Sequence, residues 1–383
     1  LPEHGGIVSP LPVMQSAPGP ETWVDGVRYL YFAGTSYLGL ASDPEVIEAG
    51  CQAMRRYGVH SATSRAGCGS NPPVLEVERE AAAFFGTEDA FYFSSGYASN
   101  HIAVAALAPD VDAVLVDEAA HYCVREAARL AGRPVMTFRH RDPDDLARGV
   151  SAAGGRRVLV LADAVGPATG WTAPVDEYCR VLESCDRAAL LLDEAHGFGV
   201  LGAEGRGWLD ALGRWSEVNQ LPRVRGVSLY VVGTLAKALG GFGGIIPGSR
   251  DWIERVRSAS HYFDGASAPA SAVAGATACA LRLVRTQPER RERLRANIRR
   301  LREGLRQLGI GLSPAETAQM GIPMGDSARM RQIHEALKAR GVWVPYFGAY
   351  SGLPPEGVLR VAVFATHSEA QIDALLAHLK ELS

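Results

Sequence analysis

Three lysines occur in the 383 residues, at positions 237, 338 and 380. Lys338 follows Met330, Ile333 and Leu337, the apolar stripe of an amphipathic helix, and Lys380 lies close to the chain end. Lys237 differs from both. It sits in Val231-Val232-Gly233-Thr234-Leu235-Ala236-Lys237-Ala238-Leu239-Gly240, behind a β-branched run that reads as a buried strand. An amine in such surroundings is partly desolvated, which lowers its pKa and makes the neutral form available for a Schiff base. The alternative is a lysine that extends from a loop to water.

Other residues fall where chemistry is possible. Asp193 ends the apolar run Ala188-Ala189-Leu190-Leu191-Leu192, an expensive place for an acid unless a cation such as a protonated pyridine nitrogen meets it. An N-cap role is the competing reading. Ser94-Ser95-Gly96-Tyr97 joins a strand to a helix start, offering backbone N–H groups and a positive helix end to a phosphate. His121 follows Asp117 at a similar junction, where an imidazole either stacks on a flat ring or caps the helix. Arg360 lies in Val358-Leu359-Arg360-Val361-Ala362-Val363, where its planar fork suits a substrate carboxylate unless it faces water from an edge strand. A Schiff-base lysine, an acid for a pyridine nitrogen, a stacking side chain and a phosphate cradle together match the needs of pyridoxal phosphate.

The elements that must position these residues alternate. Apolar runs at Ala90–Phe93, Ala113–Val116, Val158–Ala162 and Ala188–Leu192 are separated by helical spans, which predicts a mostly parallel sheet covered on both faces. Ligands of such sheets bind beyond the carboxyl ends of the strands, where Asp117, Asp163 and Asp193 fall. Residues 1–28 read as a turn-rich arm, 58–73 as a loop, and the region after Arg250 as a second, α+β unit. The expected division is 1–45 as arm and start of a small domain, 46–250 as the large cofactor-binding domain and 251–383 as the C-terminal small domain.

Hydrophobic content of 47% and charged content of 21% are those of a globular chain. A net charge of -3 carries no basic footprint for nucleic acid or an anionic membrane. Leu1 to Glu21 has no apolar leader segment, and no apolar run is long enough to span a bilayer, so a cytoplasmic location is the default expectation. The six cysteines show neither a CxxC pair nor zinc-site spacing, and no metal is expected.

Two stretches carry a family likeness: Asp193-Glu194-Ala195-His196-Gly197-Phe198-Gly199-Val200-Leu201-Gly202 with Gly205-Arg206-Gly207, and Gly233-Thr234-Leu235-Ala236-Lys237-Ala238-Leu239-Gly240. With Tyr37-Leu38-Gly39-Leu40 and Leu359-Arg360-Val361 they make the chain resemble the α-oxoamine synthases, a family of fold-type-I pyridoxal phosphate enzymes. The resemblance implies a mostly parallel central sheet in a large domain, a smaller α+β domain, and a homodimer with the site at the subunit interface. It implies that Lys237 carries the cofactor and then acts as base, Asp193 holds the pyridine nitrogen protonated, His196 bonds the phenolic oxygen and His121 stacks on the ring. Ser95, Gly96, Tyr97 and Thr234 would hold the phosphate, and Arg360 the amino acid carboxylate.

The implied reaction condenses a small amino acid with an acyl thioester, on CoA or a carrier protein, with loss of CO2. Another pyridoxal phosphate reaction at the same α-carbon, such as transamination, decarboxylation or carbon–carbon bond formation without a thioester, is the alternative. A non-catalytic partner is a third reading, and the presence of Lys237 speaks against it. The chain departs from the family pattern at Ala236, where a serine is usual, at Pro167 within Gly166–Gly170, at Pro72-Pro73 and around Phe263–Ala266.

Overall fold

The computed structural model describes residues 11–154 and 157–383. The first ten residues of the predicted arm therefore lie outside the described residues.

A seven-stranded sheet organises the molecule. In chain order its strands are β1 (Asp89–Phe93), β2 (Ala113–Asp117), β3 (Val135–Phe138), β4 (Arg157–Asp163), β5 (Arg187–Asp193), β6 (Gly226–Thr234) and β7 (Gly244–Gly248). Across the sheet the order is β1-β7-β6-β5-β4-β2-β3, with β7 antiparallel to both neighbours and every other pair parallel. The apolar run of β5 is buried from Ala188 to Asp193, as a strand covered on both faces requires. Its side chains alternate between two cores, Leu190 and Leu192 entering one and Ala189 and Leu191 the other. The parallel register sets Asp163 of β4 directly beside Asp193 of β5.

Two expectations are corrected. The predicted turn-rich arm holds a hairpin, Glu21–Val24 with Val27–Tyr31, turned by Asp25 and Gly26 at φ 50° and 77°. Positive φ at both central residues is the hairpin turn that Asp-Gly favours. The predicted loop 58–73 ends sooner than expected, because Asn71 accepts from Val74 N and starts the helix Pro72–Phe85 with two prolines in its first turn. A π-type turn, Arg65–Gly69, lies within it, and buried Arg65 pairs with Glu78 through both carboxylate oxygens.

The hairpin strand Val27–Tyr31 also pairs with Val342–Trp343. A separate sheet places Val358–Ala362 between Gln319–Ile322 and Tyr346–Phe347, all antiparallel. Helices Arg250–Ala259 and Ser271–Thr286 pack toward the large sheet and its early helices. Trp252 packs at a tilt against Tyr230 of β6, with ring centroids 4.6 Å apart and ring planes at 40°. Gly50 and Gly275 let the helices Pro44–Tyr57 and Ser271–Thr286 cross closely, since a Cβ on Gly275 would sit 2.4 Å from that of Ala53.

Candidate active site

The carboxyl ends of β4, β5 and β6 bring Asp163, Asp193 and Thr234 to a cavity of about 460 Å³. Every site residue expected from the sequence lines it: Ser95, Gly96, Tyr97 and His121 from the strand-to-helix junctions, Asp193 and His196 after β5, Thr234 and Lys237 after β6, and Arg360 from the smaller sheet.

Lys237 is carried by a turn that β6 and β7 close, with Leu235 N donating to Gly243 O at 2.9 Å and Gly240 N to Lys237 O at 3.0 Å. Gly240 is at φ +68°, and a Cβ there would strike Leu40, so the turn needs glycine. The lysine is half-buried because it faces the cavity, with protein on every other side. Its pKa falls from 10.5 to about 8, first through burial and then through the Arg360 charge, while Asp193 and Asp163 oppose the shift. Nζ lies 2.9 Å from His196 Nε2. His196 is buried, and burial followed by the charges of Lys237 and Arg360 keeps its pKa well below the usual imidazole value, so the ring is neutral. Its Nδ1 is 2.9 Å from the hydroxyl of Tyr37.

Asp193 Oδ1 accepts from Ala195 N at 2.9 Å, and Oδ2 accepts from Asn100 Nδ2 at 2.6 Å. Among the described residues it makes no ion pair, although it is buried. Asp163 accepts from His121 N at 2.8 Å, and burial with the neighbouring Asp193 charge holds its carboxyl well above the usual range. His121 fulfils the capping role, accepting from Cys123 N at 3.3 Å, and its ring also lines the cavity. Burial lowers its pKa.

Gly96 packs against Thr234 so closely that a Cβ would lie 2.5 Å from Thr234 Oγ1. Thr234 Oγ1 donates to Gly243 O and accepts from Ala236 N. Ser95 Oγ accepts from Tyr97 N, which turns the chain into the helix Ser99–Leu107. Arg360 is buried in the middle strand of its sheet, so the edge-strand alternative fails. Its guanidinium donates to Pro167 O at 3.0 Å, Gly34 O at 3.2 Å and the Tyr37 hydroxyl at 3.2 Å. Among the described residues no carboxylate pairs with it, so the charge is left for a ligand.

Three neighbours escaped the sequence reading as site residues. Asn100 lies one turn beyond the Ser95–Tyr97 junction, a spacing that could have flagged it. Cys123, 3.7 Å from Asp193 Oδ2, and Tyr37 carried no local signal of a polar role. Of the departures from the family pattern, Pro167 lends its carbonyl to Arg360, while Gly265 sits in an exposed turn whose N–H donates to His261 O at 2.8 Å.

A buried acid without a cation, a glycine cradle on a strand-to-helix junction and a desolvated lysine in one cavity fit pyridoxal phosphate, and the volume falls within the range of about 300–1,000 Å³ usual for small-molecule sites. Fold and site together define a fold-type-I pyridoxal phosphate transferase. Residues 30–379 match the model of the family described as aminotransferase class I and II. An 8-amino-7-oxononanoate synthase of Nitrosococcus oceani is 36% identical over 97% of this chain and 96% of its own. A serine palmitoyltransferase of S. paucimobilis, solved with a bound PLP–myriocin aldimine, superposes with a TM-score of 0.86 at 27% identity, covering 97% of this chain and 92% of that one. The serine palmitoyltransferase of Sphingomonas wittichii gives 0.87 at 26% identity with the same coverage. The chain belongs to the aminotransferase class I and II family, in its α-oxoamine synthase branch. Among the described residues no helix is long and apolar enough to cross a membrane.

Proposed function

We propose that this chain is a pyridoxal phosphate-dependent acyltransferase that joins a small amino acid to an acyl thioester with loss of CO2, giving an α-amino ketone. The observation that carries the reading is the convergence of Lys237, Asp193, His196 and Arg360 on one cavity. Bound pyridoxal phosphate supplies an aldehyde for the lysine and an electron-withdrawing ring beside the amino acid's α-carbon.

The protein's part follows from its geometry. Lys237, with a pKa near 8, has a free amine available close to neutral pH, first to bind the cofactor and then to take the α-proton. Asp193, oriented by Asn100 and Ala195 N, would hold a proton on the pyridine nitrogen by charge. His196 would bond the phenolic oxygen from Nε2, and His121, which lines the same cavity, would pack on the ring. The N–H groups of the Ser95–Tyr97 turn, with Thr234, hold the phosphate. Arg360 grips the amino acid carboxylate until it leaves as CO2.

The reading extends to assembly and place. Tyr97 and Phe242 line the cavity yet are 41% and 57% exposed, apolar surface that a second copy would cover; we propose a homodimer with its site at the interface. A cytoplasmic setting and a large unit over 46–250 with a small unit over 251–383 belong to the same proposal.

The test is a screen of purified protein with pyridoxal phosphate, a panel of amino acids, and acyl-CoA or acyl-carrier thioesters, read as released thiol. At least one pair is expected to release thiol and CO2 together. Pyridoxamine phosphate without thiol would instead establish transamination.

A further inference from the structure

We infer that Tyr37 is a positioning residue that decides which ring nitrogen of His196 carries the proton, with Arg360 setting the direction. Four residues far apart in sequence form one line of hydrogen bonds. Arg360 meets the Tyr37 oxygen at 3.2 Å, the Tyr37 hydroxyl meets His196 Nδ1 at 2.9 Å, and His196 Nε2 meets Lys237 Nζ at 2.9 Å. A guanidinium only donates. The phenol oxygen must therefore accept from Arg360, which leaves its single proton for Nδ1.

A neutral imidazole that accepts at Nδ1 keeps its own proton on Nε2. The reverse arrangement would aim two donors at the phenol oxygen and leave its O–H without an acceptor in a buried site, since those two contacts are the hydroxyl's only partners among the described residues. Neither Arg360 nor Tyr37 is free to turn. Arg360 is tied to the carbonyls of Pro167 and Gly34, and the Tyr37 backbone bonds to Thr35 O and, through its own carbonyl, to Ala365 N at 2.7 Å.

Nε2 is thus presented to the cavity as a donor. In the cofactor-free protein it points at the Lys237 amine, which accepts from it once the lysine is neutral, above its pKa of about 8. Its use toward the phenolic oxygen rests on the function proposed above, whereas the tautomer does not.

The experiment uses apoprotein at about pH 9.5, where the Lys237 amine is neutral and can accept, with 15N-labelled histidine rings and the His196 signals assigned by their loss in His196→Gln. The wild type is expected to show an unprotonated Nδ1 and a protonated Nε2, and Tyr37→Phe a mixture of the two tautomers. In the holoenzyme the pH midpoint of the visible band of the lysine-bound cofactor should move in Tyr37→Phe by about half a unit to one unit, the size of one lost hydrogen bond. A proton on Nδ1 in the wild type, or an unchanged tautomer in Tyr37→Phe, would overturn the inference. Should Tyr37→Phe fail to fold, the wild-type ring signals decide alone. Failure to bind pyridoxal phosphate would count against the proposed function and leave the tautomer result standing.

Discussion

Asp193 and Arg360 are buried charges of opposite sign, and among the described residues neither forms an ion pair. Burial of an unpaired charge is costly, so both are held for something that enters the cavity. Asp193→Asn keeps the shape and the bond from Ala195 N but removes the charge. Thiol release should fall about 10²- to 10³-fold, the usual loss of one electrostatic stabiliser, with little change in melting temperature. Arg360→Gln should raise KM for the amino acid about 100-fold and leave that for the thioester nearly unchanged. An equal effect on both substrates would remove Arg360 from carboxylate recognition. Lys237, Asp193 and Arg360 were legible in the sequence because each breaks an apolar run. Tyr37 was not, since a tyrosine in such company is ordinary and only tertiary packing brings it to His196, and Asn100 was legible only through its spacing from the Ser95–Tyr97 junction, with packing bringing it to Asp193.

Strand ends and the turns behind them do the positioning. Glu194, next to Asp193, is fully buried and accepts from Trp208 N and Leu209 N, pinning the Gly205–Gly207 loop beneath the site. Gly197 and Gly207 leave room for its carboxyl, and a Cβ on either would collide with it. Burial pushes its pKa from 4.5 up to about 8. The folded state therefore binds the extra proton between those values, and that stability is complete below about pH 4.5 and lost as pH rises through 8. Glu194→Gln cannot titrate, so the difference in melting temperature should shift in favour of the variant between pH 5 and pH 9, a span of roughly four units that brackets the folded value. A constant difference would refute the assignment. Gly96→Ala should force Thr234 aside and weaken pyridoxal phosphate binding by about 1–3 kcal/mol, measured by cofactor titration. Strands β4 and β5 were readable as buried runs. Strand β3 is a short edge of four residues with a mostly outward pattern, and β7 follows three glycines within four residues and opens on a fourth, which masked both.

At the scale of the molecule, a sheet with acids at its carboxyl ends, a lysine turn and an arginine from a second sheet close around one space. The folded environment, rather than the sequence near position 237, makes the lysine reactive close to neutral pH: Arg360, 123 positions away in sequence, is among the causes of its lowered pKa. The rate at which apoprotein captures pyridoxal phosphate should thus rise with pH to a plateau with a midpoint near 8, and a midpoint near 10.5 would mean an ordinary, solvated amine. The central claim is that Lys237 is the covalent seat of the cofactor, and the visible spectrum of Lys237→Ala incubated with pyridoxal phosphate tests it most directly. The variant should bind the cofactor reversibly and lack the absorbance band of the lysine-bound form. Retention of that band, stable to gel filtration, would contradict the account.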